Sequence, residues 1–208
     1  MQNYRLTLKR VGAVLIAVGI LKIAYILYLT FQGKSHPSWS NILFLIAGIV
    51  LFRGNLRAVP IVRWFAALSF STSLGSLILL PFIKPLELWI IEFHLNTVSF
   101  LTWSFIKILE IALSFWVYLQ LRSVSINRST SKSAFIFGFI LIAILSSLMY
   151  LTQTSTDGIK AVEIARSKYG ETYKYHITAM EWSGGRVRAN ISAYNRREVK
   201  PVKVEWEK

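Results

Sequence analysis

The chain has 208 residues, 54% of them hydrophobic, a mean hydropathy of +0.48 and no cysteine. Its apolar residues come in blocks near the roughly 20 that cross a bilayer, and the missing cysteine removes disulfides, thiolate zinc sites and a cysteine nucleophile. The net charge of +14 does not describe a nucleic-acid footprint: residues 1–152 hold 13 Lys/Arg against three acids, residues 153–208 hold 11 against seven, and most of the excess lies between apolar blocks, where it sets membrane orientation.

In chain order, Arg5, Lys9 and Arg10 precede a first span over 11–31, with Lys22 at its centre. The apolar run continues to Phe31 with no small-residue cleavage site, so it reads as an uncleaved span rather than a signal peptide. A turn over Gly33–Pro37 leads to a short second span, 38–56. Arg53, Arg57 and Arg63 then mark a loop into a third span, 64–83. Its Ser69, Ser71, Thr72, Ser73, Gly75 and Ser76 are small enough for close helix packing. Pro81 and Pro85 bracket a break, and 86–97 reads as an interfacial helix or an extension of the next span. A fourth span covers 98–121 and a fifth 133–151.

The fourth span carries the most information. Ser104, Lys107, Glu110, Ser114 and Tyr118 recur at three, three, four and four residues, which is one helical stripe. A charge at bilayer depth is costly, so the stripe is expected to face other helices or a wet cavity. Lys22 lies eleven residues after Val11, and Glu110 eleven before Leu121. At 1.5 Å per residue both sit about 16 Å in from their span ends. A Lys22–Glu110 ion pair is therefore expected, with Lys107 one turn outward. Trp39, Trp64, Trp89, Trp116, Tyr118 and Tyr150 suit an aromatic belt.

The connecting segments carry three, one, three, one and three Lys/Arg in order. That alternation predicts five spans in the inner (plasma) membrane, with the N-terminus cytoplasmic and the C-terminal domain, 153–208, extracytoplasmic.

Beyond residue 152 the periodicity changes. Ile159, Val162, Ala165 and Tyr169 share a helical face, with Asp157 at the capping position and Gly170 at the stop. Three alternating runs follow, 172–182, 186–194 and 198–207, the first with Tyr173, Tyr175, Ile177 and Ala179 on one side. Ser183-Gly184-Gly185 makes a tight turn, and Pro201 places the last run at a sheet edge. The fold class expected is an α-helical membrane protein of about five transmembrane helices (1–152) with a small C-terminal α+β domain: one helix and a three-stranded antiparallel sheet. Lys174, His176, Arg186 and Arg188 form a candidate partner-binding face.

The helix and the strands after it, carried by Ala161, Ile164, Ala165 and Val204 within and beyond 160–170, resemble the PepSY-like and cystatin-like small domains. The cystatin Gln-x-Val-x-Gly hairpin is absent, and Ser183-Gly184-Gly185 stands where PepSY repeats have an acidic and glycine turn. The resemblance implies an extracytoplasmic binding or regulatory domain tethered to a membrane anchor. It transfers no functional residue.

No Gly-rich phosphate loop, HExxH or nucleophile elbow occurs, and Asp157 is the sole aspartate. Glu92 and His94, with Glu87, His36 and His176, are the only residues that suggest a metal site, and their spacing does not favour one. No catalytic residue, cofactor or metal is expected. The expectation is a non-enzymatic membrane protein that presents its tail for protein binding or regulation of a membrane complex. Its partners would be the bilayer and a protein, with no nucleic acid. A transporter or channel subunit using Lys22, Lys107 and Glu110, and a membrane immunity or inhibitor protein, are the alternatives.

Overall fold

The computed structural model describes residues 3–31, 40–124 and 129–208. The Gly33–Pro37 turn with Lys34 and His36, Trp39 and Arg128 lie outside them. The described residues form α1 (Asn3–Phe31), α2 (Ser40–Phe52), a 3-10 turn (Leu56–Ala58), α3 (Val59–Ile83), α4 (Leu86–Leu95), α5 (Thr97–Arg122), α6 (Ser129–Thr154) and α7 (Thr156–Tyr169). The strands β1 (Lys174–Ser183), β2 (Arg186–Tyr194) and β3 (Val199–Glu207) follow.

Among the described residues four helices are long and apolar enough to cross a membrane: Tyr4–Tyr28, Leu56–Leu79, Thr97–Arg122 and Lys132–Thr154. The segment expected as the second of five spans is a helix of 13 residues. At 1.5 Å per residue that is about 20 Å, against a hydrocarbon core of roughly 30 Å. Two boundaries also move. Arg63, expected in a loop, lies on α3, and α3 runs through Pro81 to Ile83, so the break comes at Lys84 and Pro85.

The chain divides into two compact units, residues 1–71 with 110–138 and residues 72–109 with 139–208. In the first, α1 and α2 pack as an antiparallel pair at backbone contact. A Cβ on Gly12 would meet the Phe52 nitrogen at 2.6 Å, one on Gly48 the Ile16 nitrogen at 2.7 Å, and one on Gly19 the Leu45 nitrogen at 2.9 Å. Glycine is needed here for approach, as in close-packed membrane helices. The same device recurs between α3 and α6, where a Cβ on Gly138 would lie 1.9 Å from the Ser71 hydroxyl. Leu8, Val11 and Leu15 of α1, Leu51 of α2, Val59, Val62 and Ala66 of α3, and Val117 and Leu121 of α5 form one buried cluster.

In the second unit, α7 covers one face of the antiparallel sheet β1-β2-β3. Ser155, rather than Asp157, caps α7, accepting from the Gly158 N–H at 3.0 Å. Only that residue separates α6 from α7. Gly158 is required at this joint, since a Cβ there would fall 2.2 Å from the Thr152 carbonyl oxygen. The helix face toward the sheet is Ala161 and Ala165, both fully buried, while Ile159 and Tyr169 point outward. Of the expected face, Val162 and Ala165 do pack toward the sheet, and Ala161 takes the place of Ile159 and Tyr169, because small side chains let the helix axis approach the sheet.

β2 alternates as its sequence predicts, with Val187, Ala189, Ile191 and Ala193 buried. β1 does not hold its phase. Its register against β2 shifts between Ile177 and Ala179, and the Thr178 hydroxyl donates to the Asn190 carbonyl at 3.0 Å. The extra residue flips the strand: Tyr173, Tyr175 and Ile177 face α7 before it, Met180 after it, and Ala179 is exposed. Past the bulge, the Trp182 indole donates to Asp157 at 2.9 Å. β3, with Pro201, pairs only with β2 and is an edge strand.

Candidate functional site

Two groups of polar side chains stand out, one in each unit. In the first, the Lys22 ammonium lies 2.7 Å from Glu110 Oε1, with the side chains 25% and 27% exposed. The same ammonium sits 4.6 Å from the centroid of the Phe44 ring. Helices α1, α2 and α5 therefore meet at one cation. The geometry follows from chain counting: Val11 and Leu121 share the buried cluster, and eleven residues further along α1, and eleven back along α5, the two charges come level. Ser114 is buried on the same α5 face, and Tyr118 packs edge-on against Phe135 at 5.1 Å. Ser104 and Lys107, also partly shielded, continue that stripe.

Sequence reasoning missed Arg63, the largest fully buried side chain, only 1% exposed. Its position at the head of an apolar run suggested a loop, and burial of an arginine depends on neighbours that periodicity does not reveal.

The second group lies on the sheet face away from α7, where α4 packs. The Lys174 ammonium donates to Glu87 of α4 at 2.5 Å, and this bond holds the lysine pKa above its usual value. His176 is 6% exposed; burial lowers its pKa, Lys84 adds to the effect and Glu92 opposes it. Lys84 and Glu92 are themselves hydrogen-bonded ion partners. Tyr194, opposite Lys174 across the strand pair, is buried, and desolvation raises its pKa. The exposed face expected from Lys174, His176, Arg186 and Arg188 is therefore divided. Lys174 and His176 are engaged by the α3–α4 corner, while Arg186 and Arg188 are exposed at the hairpin end beside Glu205 and Glu207.

His94 contacts the Ile90 carbonyl through Nδ1 at 2.8 Å, a local helical bond. Among the described residues no three His, Asp or Glu side chains gather as a metal site. The Asn195–Glu198 turn adds residues that sequence reasoning passed over. The Asn195 side-chain oxygen accepts the Arg197 and Glu198 N–H groups, which fixes Arg196 at the turn's tip. The Asn-Arg-Arg run was its only signal.

Comparison with family models, with curated proteins and with solved structures finds no match to this chain.

Proposed function

We propose that the chain is a non-enzymatic multi-pass membrane protein whose helices hold a small α+β domain at the membrane surface, for protein binding or regulation of a membrane complex. The observation that carries this reading is the inverted polarity of α5. Leu101, Phe105, Ile108, Leu109, Phe115 and Leu119 are exposed, whereas Ser104, Lys107, Glu110 and Ser114 are shielded. A water-facing helix would bury the first set and expose the second; hydrocarbon reverses the preference.

The orientation has its own support. The buried cluster gathers the start of α1, the end of α2, the start of α3 and the end of α5, so Lys9, Arg10, Arg53, Arg57 and Arg122 leave the helices at one level. That fits α2 as a fifth, short crossing, with these basic ends in the cytoplasm and the tail outside. Presentation of the tail is supported by the single-residue joint at Ser155 and by the Lys174–Glu87 bond to α4. A packing role for the Lys22–Glu110 pair is favoured over conduction, because the carboxylate is already engaged and the ammonium is covered by Phe44.

Two results are expected in intact cells and their membranes. The chain stays in the membrane through an alkaline carbonate wash, and a photo-crosslinker placed at Arg188 gives a discrete adduct that weakens when the exposed neighbour Arg186 is replaced by Glu. Release by carbonate, or no adduct from any exposed β2 or β3 position, defeats the reading.

A further inference from the structure

We infer that the cleft between α4 and the edge of the sheet binds the phosphate headgroup of an anionic membrane lipid, with Arg196 and Lys174 as its cations and Ile90 and Ile91 as its apolar wall. The cleft has a volume of about 470 Å³, and the hydroxyl-bearing Thr172 and Tyr194 also line it. Its charge is unbalanced in a way that specifies the ligand. Two cations, Lys174 and Arg196, stand against one carboxylate, Glu87. Lys174 donates to Glu87, and Arg196 is near enough to act against the lysine's charge. The surplus is one positive charge, which a phosphodiester with its single negative charge complements. An arginine held at the tip of a fixed turn supplies the planar donor fork suited to phosphate oxygens. The Tyr194 phenol, protonated like any tyrosine at neutral pH, is a further donor in the lining.

The wall argues for a lipid rather than a soluble phosphate. Leu86, Ile90 and Phe93 of α4 are 63%, 57% and 38% exposed, and their spacing of four and three makes one stripe that enters the cleft at Ile90. Such a stripe offers apolar surface to the first methylenes of a lipid, which a free phosphate lacks. In the cleft the cations would hold the phosphate while the glycerol and first methylenes lie along Ile90 and Ile91.

This inference rests on the membrane reading above, and its test separates the two. Release from membranes by carbonate would overturn that reading, whereas the lipid site is tested on full-length protein in neutral detergent. The thermal midpoint is followed while phosphatidylglycerol, phosphatidylcholine or glycerol phosphate is added. Phosphatidylglycerol should raise the midpoint by several degrees and phosphatidylcholine should not. Arg196→Gln should weaken the phosphatidylglycerol response about tenfold, the effect of losing one charge-assisted contact. Lys203→Gln, which removes an equal charge from β3, should leave it unchanged. Ile90→Ser should also weaken it. Equal responses to the two lipids, or an unaltered response in Arg196→Gln, overturn the site. A full response to glycerol phosphate alone overturns the lipid and leaves a soluble phosphate ligand.

Discussion

Lys22 is held between a carboxylate and an aromatic face, and its worth to the fold depends on what removal of one partner leaves behind. Breaking a fully buried pair costs about 3–5 kcal/mol because the remaining charge is stranded. With both side chains about a quarter exposed, Glu110→Gln should destabilise the protein by about 1–3 kcal/mol. Lys22→Met combined with Glu110→Leu should recover most of that loss, since an apolar pair removes the stranded charge. Unfolding in detergent measures both, and a Glu110→Gln protein as stable as the parent would mean that the pair contributes nothing. His176 behaves differently, because its burial favours the neutral ring. Its folded pKa lies below the ordinary 6.5, so the unfolded chain takes up a proton first as pH falls. The stability it contributes is present above about pH 6.5 and is lost below it as pH falls through the folded pKa. The facing groups, Lys84 and Glu92, are themselves paired, and Lys84 adds repulsion to the protonated ring. His176→Gln should flatten the stability profile between neutral pH and pH 5, and an unchanged slope would place its origin elsewhere.

At the level of helices and strands, glycine positions separate contact from space. Gly12→Ala and Gly48→Ala should each cost about 1–3 kcal/mol, because the new methyl meets backbone and the helices must part. Gly75→Ala is the control: its Cβ would meet Phe139 at 3.4 Å, an ordinary contact, and helix propensity favours alanine by up to about 1 kcal/mol. Similar stabilities for the three variants would show that α1 and α2 do not pack at backbone distance. The same distinction explains what could be read from the sequence. β2 was legible because one uninterrupted alternation fixes both faces. The Lys22–Glu110 pair was legible because equal residue counts from the span ends suffice to bring two charges level. The face of α7 was half legible: Val162 and Ala165 pack on the sheet as expected, whereas hydrophobic bulk also marked Ile159 and Tyr169, which are exposed, and passed over Ala161. The bulge at Thr178 leaves no composition signal. The burial of His176 depends on α4, 80 residues away, which strand alternation cannot foresee.

For the whole molecule the open quantity is the number of crossings, because α2 is both too short and in the right place. Its 13 residues fall some 10 Å short of a typical hydrocarbon core. Local thinning of the bilayer, and Arg53 reaching to the interface, can bridge such a mismatch at modest cost. Stopping short of the far side costs more. Phe52 packs beside Gly12, and Lys9 and Arg10 lie just before that level, so Arg53 and Arg57 emerge with them. On the proposed orientation, an α2 that did not cross would leave those arginines on the side opposite Lys9 and Arg10, although the helix end they follow packs against the start of α1. With Arg63 assigned to α3, the connectors still carry three, one, two, one and three Lys/Arg, and the bias keeps its sign. Five crossings put Ser123 in the cytoplasm and Lys208 outside. Fused after Lys208, a phosphatase active only outside the cytoplasm should therefore be active. Inserted at Ser123, a reporter that fluoresces only in the cytoplasm should be bright. The reverse pattern at Lys208 alone would mean an even number of crossings, and the tail would then meet its partners in the cytoplasm.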